Sequence, residues 1–350
     1  MHTLARFLKT LSFLFGLGAL VGSAFGSSVE VLQFPDLVDS SRQAPVIPER
    51  VRIFKRRQKA EPLSGARRVP IQVLAPESGG PYPVLIFSHG AGGSWDGHFA
   101  LAKFLATQGY VSLCLEHTGS NTARLTSTLR IRKNLQDMIH DSNEVLTRPK
   151  DVAFAIDQAS QWNGSHPKLK GRMDLSRVAV LGHSFGAYTV LAIAGARPAL
   201  DWLEPKVEPG SGLGPDLSDR RVKCGVALSP QPPGEPFFIR ESFGSLGIPV
   251  LGISGTQDTL SNGNPPTERR EAFKLWPERA GRNFFIWITD ASHLDFSDRT
   301  RSGEDVQRVV RAAALTFLDR CLKDKEGDLS EQALSTTLGG SVKKVEVLKK

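Results

Sequence analysis

Gly182-His183-Ser184-Phe185-Gly186 carries the most specific chemical signal in the chain. It lies between an apolar, strand-like run ending at Leu181 and a helix-like run from Ala187 to Ala196, so the chain must turn sharply at Ser184. A serine on such a turn has a strained backbone, and glycines two residues to either side leave room where a Cβ would collide. Its hydroxyl stands out at the strand's end, beside the free N–H groups and partial positive charge of a helix N-terminus. That suits nucleophilic attack on an acyl carbon. The plainer reading is a glycine-flanked turn that serves geometry alone.

A serine hydroxyl is a weak nucleophile at neutral pH and needs a base, itself held in one tautomer by an acid. Serines on this kind of strand-to-helix turn take their partners in the chain order nucleophile, acid, base. Of eight histidines only His293 follows Ser184, in Thr289-Asp290-Ala291-Ser292-His293 just past the apolar run Phe284 to Ile288. It is the expected base, with a surface histidine as the bland alternative. For the acid, Asp258 is preferred because it leaves the run Pro249 to Ile253 through the polar turn Ser254-Gly255-Thr256-Gln257, at the same edge of the sheet. Asp290 competes, but at three residues from His293 it is better placed to cap that loop than to reach the far ring nitrogen.

Acyl transfer also needs N–H donors aimed at the oxygen that gains charge, each worth about 2.7 to 4 kcal/mol. Ser88-His89-Gly90-Ala91-Gly92-Gly93 follows a buried strand, and the amide of Ala91 pairs with that of Phe185 as the expected oxyanion hole. A phosphate-cradling loop is the other reading of these glycines, but neither G-x-x-x-x-G-K-[ST] nor G-x-G-x-x-G occurs. His89 and His183 precede the acid and are read as hydrogen-bonding scaffold.

The elements that must position these groups alternate along the chain. Val84-Leu85-Ile86-Phe87, Tyr110 to Leu115, Val178 to Leu181, Cys224 to Leu228, Val250 to Ile253 and Phe284 to Ile288 read as strands. Helical spacing separates them, in Phe99 to Leu105 before Gly109, in Val152 to Ala159, and in the long amphipathic run Val306 to Leu322. The alternation predicts an α/β domain over 50–322, a mainly parallel sheet of about eight strands flanked by helices. Val51 to Phe54 and Val69 to Leu74 would be its opening strands. Residues 27–49 read as an extended surface arm, and 323–350 as a polar, basic, loosely attached tail. Polar Glu116 to Lys150 is expected to loop over the sheet end with one amphipathic helix inside it. The insertions Trp202 to Lys223 and Ser229 to Leu246 emerge near the catalytic edge, where Phe237, Phe238 and Phe243 either wall an acyl pocket or close the core.

The chain of 350 residues, 40% hydrophobic and 23% charged, has ordinary globular composition. Residues 1–26 hold Arg6 and Lys9, the apolar run Leu11 to Val21, and the small-residue stretch Ser23-Ala24-Phe25-Gly26, the pattern of a secretory leader cut after Gly26. The run is shorter than the roughly 18 to 20 residues of a spanning helix, so a secreted or periplasmic protein without an integral membrane span is expected. Cys114, Cys224 and Cys321 are too few for a disulfide framework and read as core residues. Removing Arg6 and Lys9 lowers the net charge from +8 to +6, with 42 basic residues against 36 acidic. Arg50 to Arg68 contains eight Lys or Arg, which could touch an anionic surface or simply form a solvated face. Nothing in this balance requires nucleic acid. The Cys-His spacing of a zinc site is absent, and neither metal nor cofactor is expected.

Taken together, Phe87-Ser88-His89-Gly90-Ala91-Gly92-Gly93, the strand end Leu115-Glu116-His117 and Gly182-His183-Ser184-Phe185-Gly186 resemble the platelet-activating-factor acetylhydrolase and dienelactone-hydrolase-like group. The likeness runs from about Val69 to Leu318 and implies the α/β-hydrolase fold, short-chain or oxidised acyl esters as substrates, and metal-independent catalysis. One departure stands out. Animal enzymes of the acetylhydrolase type carry the triad acid just after the strand following the nucleophile helix, and here that position falls near Ser229-Pro230, without a carboxylate. With Asp258 after the next strand, the chain looks more like bacterial dienelactone-type and polyester-hydrolysing relatives. The expected activity is hydrolysis of carboxylic esters through an acyl-enzyme on Ser184. A serine peptidase or acyltransferase would use the same triad, and a non-catalytic lipid- or polymer-binding module could keep the scaffold.

Overall fold

Strands that are apolar on both faces need helices above and below them, and this chain supplies both layers. A computed structural model describes residues 28–45, 65–259, 263–278, 282–297, 303–337 and 344–350. The chain opens with β1 (Val29–Phe34), β2 (Val38–Gln43), β3 (Ala66–Arg68), β4 (Ile71–Pro76) and β5 (Tyr82–Ser88). There follow α1 (Phe99–Thr107), β6 (Val111–Leu115), α2 (Thr122–Leu125), α3 (Ile131–His140), α4 (Ser142–Ser165), β7 (Met173–His183) and α5 (Phe185–Ile193). The last part comprises β8 (Val222–Leu228), β9 (Val250–Gln257), α6 (Thr267–Ala272), β10 (Phe284–Ser292), α7 (Glu304–Leu322), α8 (Glu331–Thr337) and β11 (Val345–Lys349).

Among the described residues the main sheet has nine strands in the order β1-β4-β6-β5-β7-β8-β9-β10-β11. β6, β5, β7, β8, β9 and β10 run parallel, while β1, β4 and β11 are antiparallel to their neighbours. The period of two splits each central strand between two cores. Val84 and Ile86 of β5 join Val152, Ile156 and Leu191 on the side covered by α4 and α5. Leu85 and Phe87 join Leu101, Val309 and Phe317 on the side covered by α1 and α7. From β5 the chain first crosses to β6 on one side and later returns to β7 on the other. This reversal opens a crevice at the C-terminal ends of β5 and β7, where α/β sheets bind ligands.

Several expectations change. The arm does not merely lie on the surface, since Val29–Phe34 pairs with β4 as an edge strand of the main sheet. The tail is likewise bound in, with Val345–Lys349 pairing with β10 at the opposite edge. Among the described residues these two strands complete a sheet of nine, in keeping with the expected mainly parallel sheet of about eight. Their short alternation of apolar and charged residues is weak as a sequence signal and becomes a strand only when an open sheet edge is available to pair with. α4 begins at Ser142, well before Val152, because Asp141 caps it by accepting from the Asn143 N–H at 3.0 Å. Arg67, counted among the surface charges of 50–68, is fully buried and paired with Asp151 and Glu144. Val51 to Phe54, the basic residues up to Lys59 and the leader lie outside the described residues. Cys114 and Cys224 are buried, Cys321 is half-buried, and none of the three is in a disulfide among the described residues.

Candidate active site

At the end of β7, Ser184 has φ 57° and ψ −117°, a left-handed backbone that puts its side chain out of the turn. A Cβ on Gly186 would overlap the carbonyl oxygen of Ser88, and one on Gly182 would overlap that of Gly186. Both positions therefore accept only glycine if β5 and β7 are to stay paired up to Ser88 and Gly182. The pentapeptide has the strand-to-helix setting expected of it.

β9 and β10 deliver the other two groups to the same rim. His293 Nε2 lies 3.1 Å from Ser184 Oγ, and its Nδ1 lies 2.8 Å from Asp258 Oδ1. Asp258 is fully buried. Burial by itself would raise its pKa, but the hydrogen bond to His293, the charge of Arg269 and the bond from Ser229 hold the carboxyl well below the usual carboxylate range. An ionised Asp258 keeps a proton on His293 Nδ1, which leaves Nε2 free to accept from Ser184. The competitor Asp290 is exposed at a left-handed turn, φ 57°, and its N–H donates to Thr256 Oγ1 at 2.8 Å.

Ser229, at the end of β8, sits between that strand and the carboxylate that reaches His293 from the end of β9. Its hydroxyl donates to Asp258 Oδ2 and lies 3.3 Å from His293 Nδ1. A hydroxyl thus occupies the strand end where the acetylhydrolase pattern has its carboxylate, and Asp258 reaches the same place from β9. Arg269 of α6 completes this corner, with Nε 3.4 Å from Asp258 Oδ2 and Nη1 donating to the carbonyls of Ser229 and Pro230 at 3.2 and 3.0 Å. Neither residue was legible in advance. Arg269 stands in Thr267-Glu268-Arg269-Arg270-Glu271, which reads as an exposed helix turn.

Ala91 and Phe185 both border the cavity in front of Ser184. Phe185 opens α5, so its N–H has no partner within the helix. The Ala91 peptide is set by its neighbours. The His117 N–H donates to His89 Nε2 at 3.0 Å, which leaves the ring proton on Nδ1, and Nδ1 donates to Gly90 O at 2.6 Å. Gly90 O also accepts from the Gly93 N–H at 3.0 Å. In a planar trans peptide, fixing the Gly90 carbonyl fixes the Ala91 N–H on the opposite side. Burial, with Arg148 close by, pushes the His89 pKa well below the ordinary histidine value, so the ring is neutral. His183 is also held neutral by burial, next to His293, and packs at 4.6 Å between ring centroids against it. His89 is the hydrogen-bonding scaffold the sequence suggested, whereas His183 is not: its buried Nε2 has no hydrogen-bond partner among the described residues, and the ring contributes by packing against His293.

The cavity measures about 330 Å³. Leu135 and Ile139 of α3 and Phe237 form apolar walls, with Gln231, Thr259 and Arg269 as polar ones. Of the three phenylalanines in the insertion, Phe237 borders the cavity, while Phe238 and Phe243 are buried in the core. Among the described residues no cluster of three or more His, Cys, Asp or Glu side chains is arranged to ligate a metal, and no helix is long and apolar enough to cross a membrane.

Comparison with known proteins agrees with this architecture. The platelet-activating factor acetylhydrolase of Cavia porcellus is 25% identical over 194 residues, which is 48% of this chain and 39% of that protein. The enzyme of the same name from Canis lupus familiaris is 28% identical over 179 residues, 43% of this chain and 35% of the relative. The chain thus matches well under half the length of these relatives. A ferulic acid esterase from Streptomyces cinnamoneus shares the fold, with a TM-score of 0.59 at 20% identity over 94% of this chain and 97% of that one. Residues 85–336, more than half of the chain, match the model of the alpha/beta hydrolase family, and the protein belongs to that family.

Proposed function

We propose that the protein is an exported serine hydrolase that cleaves small carboxylic esters through an acyl-enzyme on Ser184. The observation that carries the reading is the unbroken hydrogen-bonded path from Asp258 through His293 to Ser184, opening into the cavity bordered by Ala91 and Phe185. In this mechanism His293 takes the Ser184 proton as Oγ attacks the ester carbonyl. The Ala91 and Phe185 amides bind the oxyanion, and His293 returns the proton to the leaving alcohol. Water then repeats the sequence on the acyl-enzyme. Asp258 stays ionised throughout and stabilises the imidazolium.

The acetylhydrolase names of the matched relatives support a short acyl group, as does the cavity volume of about 330 Å³. Export is proposed from the leader pattern of residues 1–26, and the secreted form should begin at Ser27 by N-terminal sequencing. Ser184→Ala tests the chemistry. Turnover of p-nitrophenyl acetate is expected to vanish while the melting temperature is kept, and retained activity in the purified variant rejects the assignment.

A further inference from the structure

α4 carries Arg148 into the middle of the molecule, where it is fully buried. Its Nη2 donates to the carbonyl oxygen of His89 and lies 3.4 Å from Ser88 Oγ, while Nη1 donates to Ser120 Oγ at 3.1 Å. The guanidinium carbon lies over the Phe185 ring, with Cζ 4.1 Å from the ring centroid. One cation thus touches both segments that carry the oxyanion donors. His89 O belongs to the peptide directly before the Gly90–Ala91 peptide, and Phe185 supplies the second amide. Ser120 extends the tie, because its carbonyl accepts from the Gly92 N–H at 2.8 Å.

A buried guanidinium is costly and has to be answered by opposite charge and hydrogen bonds. Here two buried cations face two buried anions. Arg67 bonds Glu144 at 2.8 Å and Asp151 at 2.6 Å, and the same carboxylates offset Arg148. Asp151 Oδ2 continues to His117 Nδ1 at 2.7 Å, and His117 Nε2 to Ser88 Oγ at 2.9 Å. This second Ser–His–Asp chain is closed to any substrate, since Ser88, His117 and Asp151 are all 0% exposed. It works as a brace under Arg148. An apolar residue would fill the space but could not bond the His89 carbonyl, and the compact ammonium of a lysine lacks the planar fork that bonds and stacks at once.

We propose that Arg148 is a positioning residue for acyl transfer, its guanidinium locking the Gly90–Ala91 peptide and Phe185 so that both amides face the oxyanion before charge develops. The proposal rests on the ester-hydrolase reading above. Oxyanion donors act by being fixed in advance, so loosening them lowers kcat and leaves ground-state binding intact.

The test compares Arg148→Met and Arg148→Lys with the wild type on p-nitrophenyl acetate, together with inhibition by a trifluoromethyl ketone whose hemiketal oxyanion mimics the transition state. Arg148→Met is expected to lose about 100-fold in kcat, the scale of one lost oxyanion donor, with KM nearly unchanged. Affinity for the ketone should fall by the same factor as kcat/KM. Arg148→Lys keeps the charge that offsets Glu144 and Asp151, should recover part of kcat, and carries the same test if Arg148→Met does not fold. A folded variant with wild-type kcat, with a loss in KM alone, or with reduced kcat but undiminished ketone affinity overturns the proposal. Ser184→Ala is run alongside, so failure of the hydrolase reading appears as an inactive wild type and failure of the Arg148 proposal as a fully active Arg148→Met.

Discussion

Asp258→Asn replaces one oxygen by nitrogen, and the hydrogen bonds around the carboxylate decide which one. Ser229 and Ser254 both donate to Oδ2, Arg269 Nε lies 3.4 Å from it, and Oδ1 faces His293 Nδ1 at 2.8 Å. A guanidinium can only donate, so the Oδ2 side demands an acceptor. The asparagine must turn its carbonyl oxygen there and its NH₂ toward His293. Facing an NH₂, Nδ1 has to accept, the ring proton moves to Nε2, and Ser184 loses its base. A wrong tautomer in such a triad costs about 10⁴ in kcat, or about 5 kcal/mol of barrier. The assay is p-nitrophenyl acetate turnover at neutral pH by purified variant and wild type, with melting curves to confirm folding. Asp290→Asn serves as the companion and is expected to retain wild-type activity. If Asp258→Asn stays within tenfold of wild type, or Asp290→Asn suffers the large loss, the acid has been assigned to the wrong residue.

Two other predictions follow from burial and from volume. His89, His117 and His183 are buried with pKa values below 6.5, His117 at about 4, all driven first by desolvation. Below 6.5 the unfolded chain takes up protons that the folded chain refuses, so stability falls as pH drops from 6.5 toward 4, by about 3 kcal/mol from His117 alone. The depressed carboxyls of Asp151 and Asp258 are protonated only in stronger acid and add their loss there. Urea midpoints measured across this range should slide downward with pH, and a flat profile contradicts the reasoning. As for substrate size, the cavity of about 330 Å³ lies at the low end for ligand pockets. In a p-nitrophenyl ester series kcat/KM should peak at acetate to butyrate and drop by roughly tenfold at octanoate, as each extra methylene stays outside the apolar wall. Phe237→Ala should shift the optimum to longer chains, and equal activity along the series would mean that Phe237 does not bound the acyl site.

That Ser184, His293 and Asp258 meet at one rim was readable because each is tied to a local pattern. Gly182 and Gly186 mark a turn that admits no Cβ, His293 is the single histidine after Ser184, and Asp258 follows a strand that ends at the same rim. The central strands were equally legible, since a run such as Val84 to Phe87 is buried on both faces. What escaped the sequence is what depends on distant partners. Val29–Phe34 and Val345–Lys349 become strands through pairing with sheet edges formed elsewhere in the chain. Arg67, Arg148 and Arg269 look like surface charges in their own segments and are buried because Glu144, Asp151 and Asp258 meet them in three dimensions. No periodicity encodes such pairs. α4 likewise runs past the apolar run Val152 to Ala159 at both ends and carries Pro149 inside it.

The most direct measurement is covalent labelling with a fluorophosphonate, which reacts only with a serine activated by a neighbouring base. Digestion and mass spectrometry of the labelled protein should place one adduct on the peptide containing Ser184, with none in Ser184→Ala and strongly slowed labelling in His293→Ala. An unlabelled wild type, or an adduct on any other serine, would contradict the assignment of Ser184 as the nucleophile.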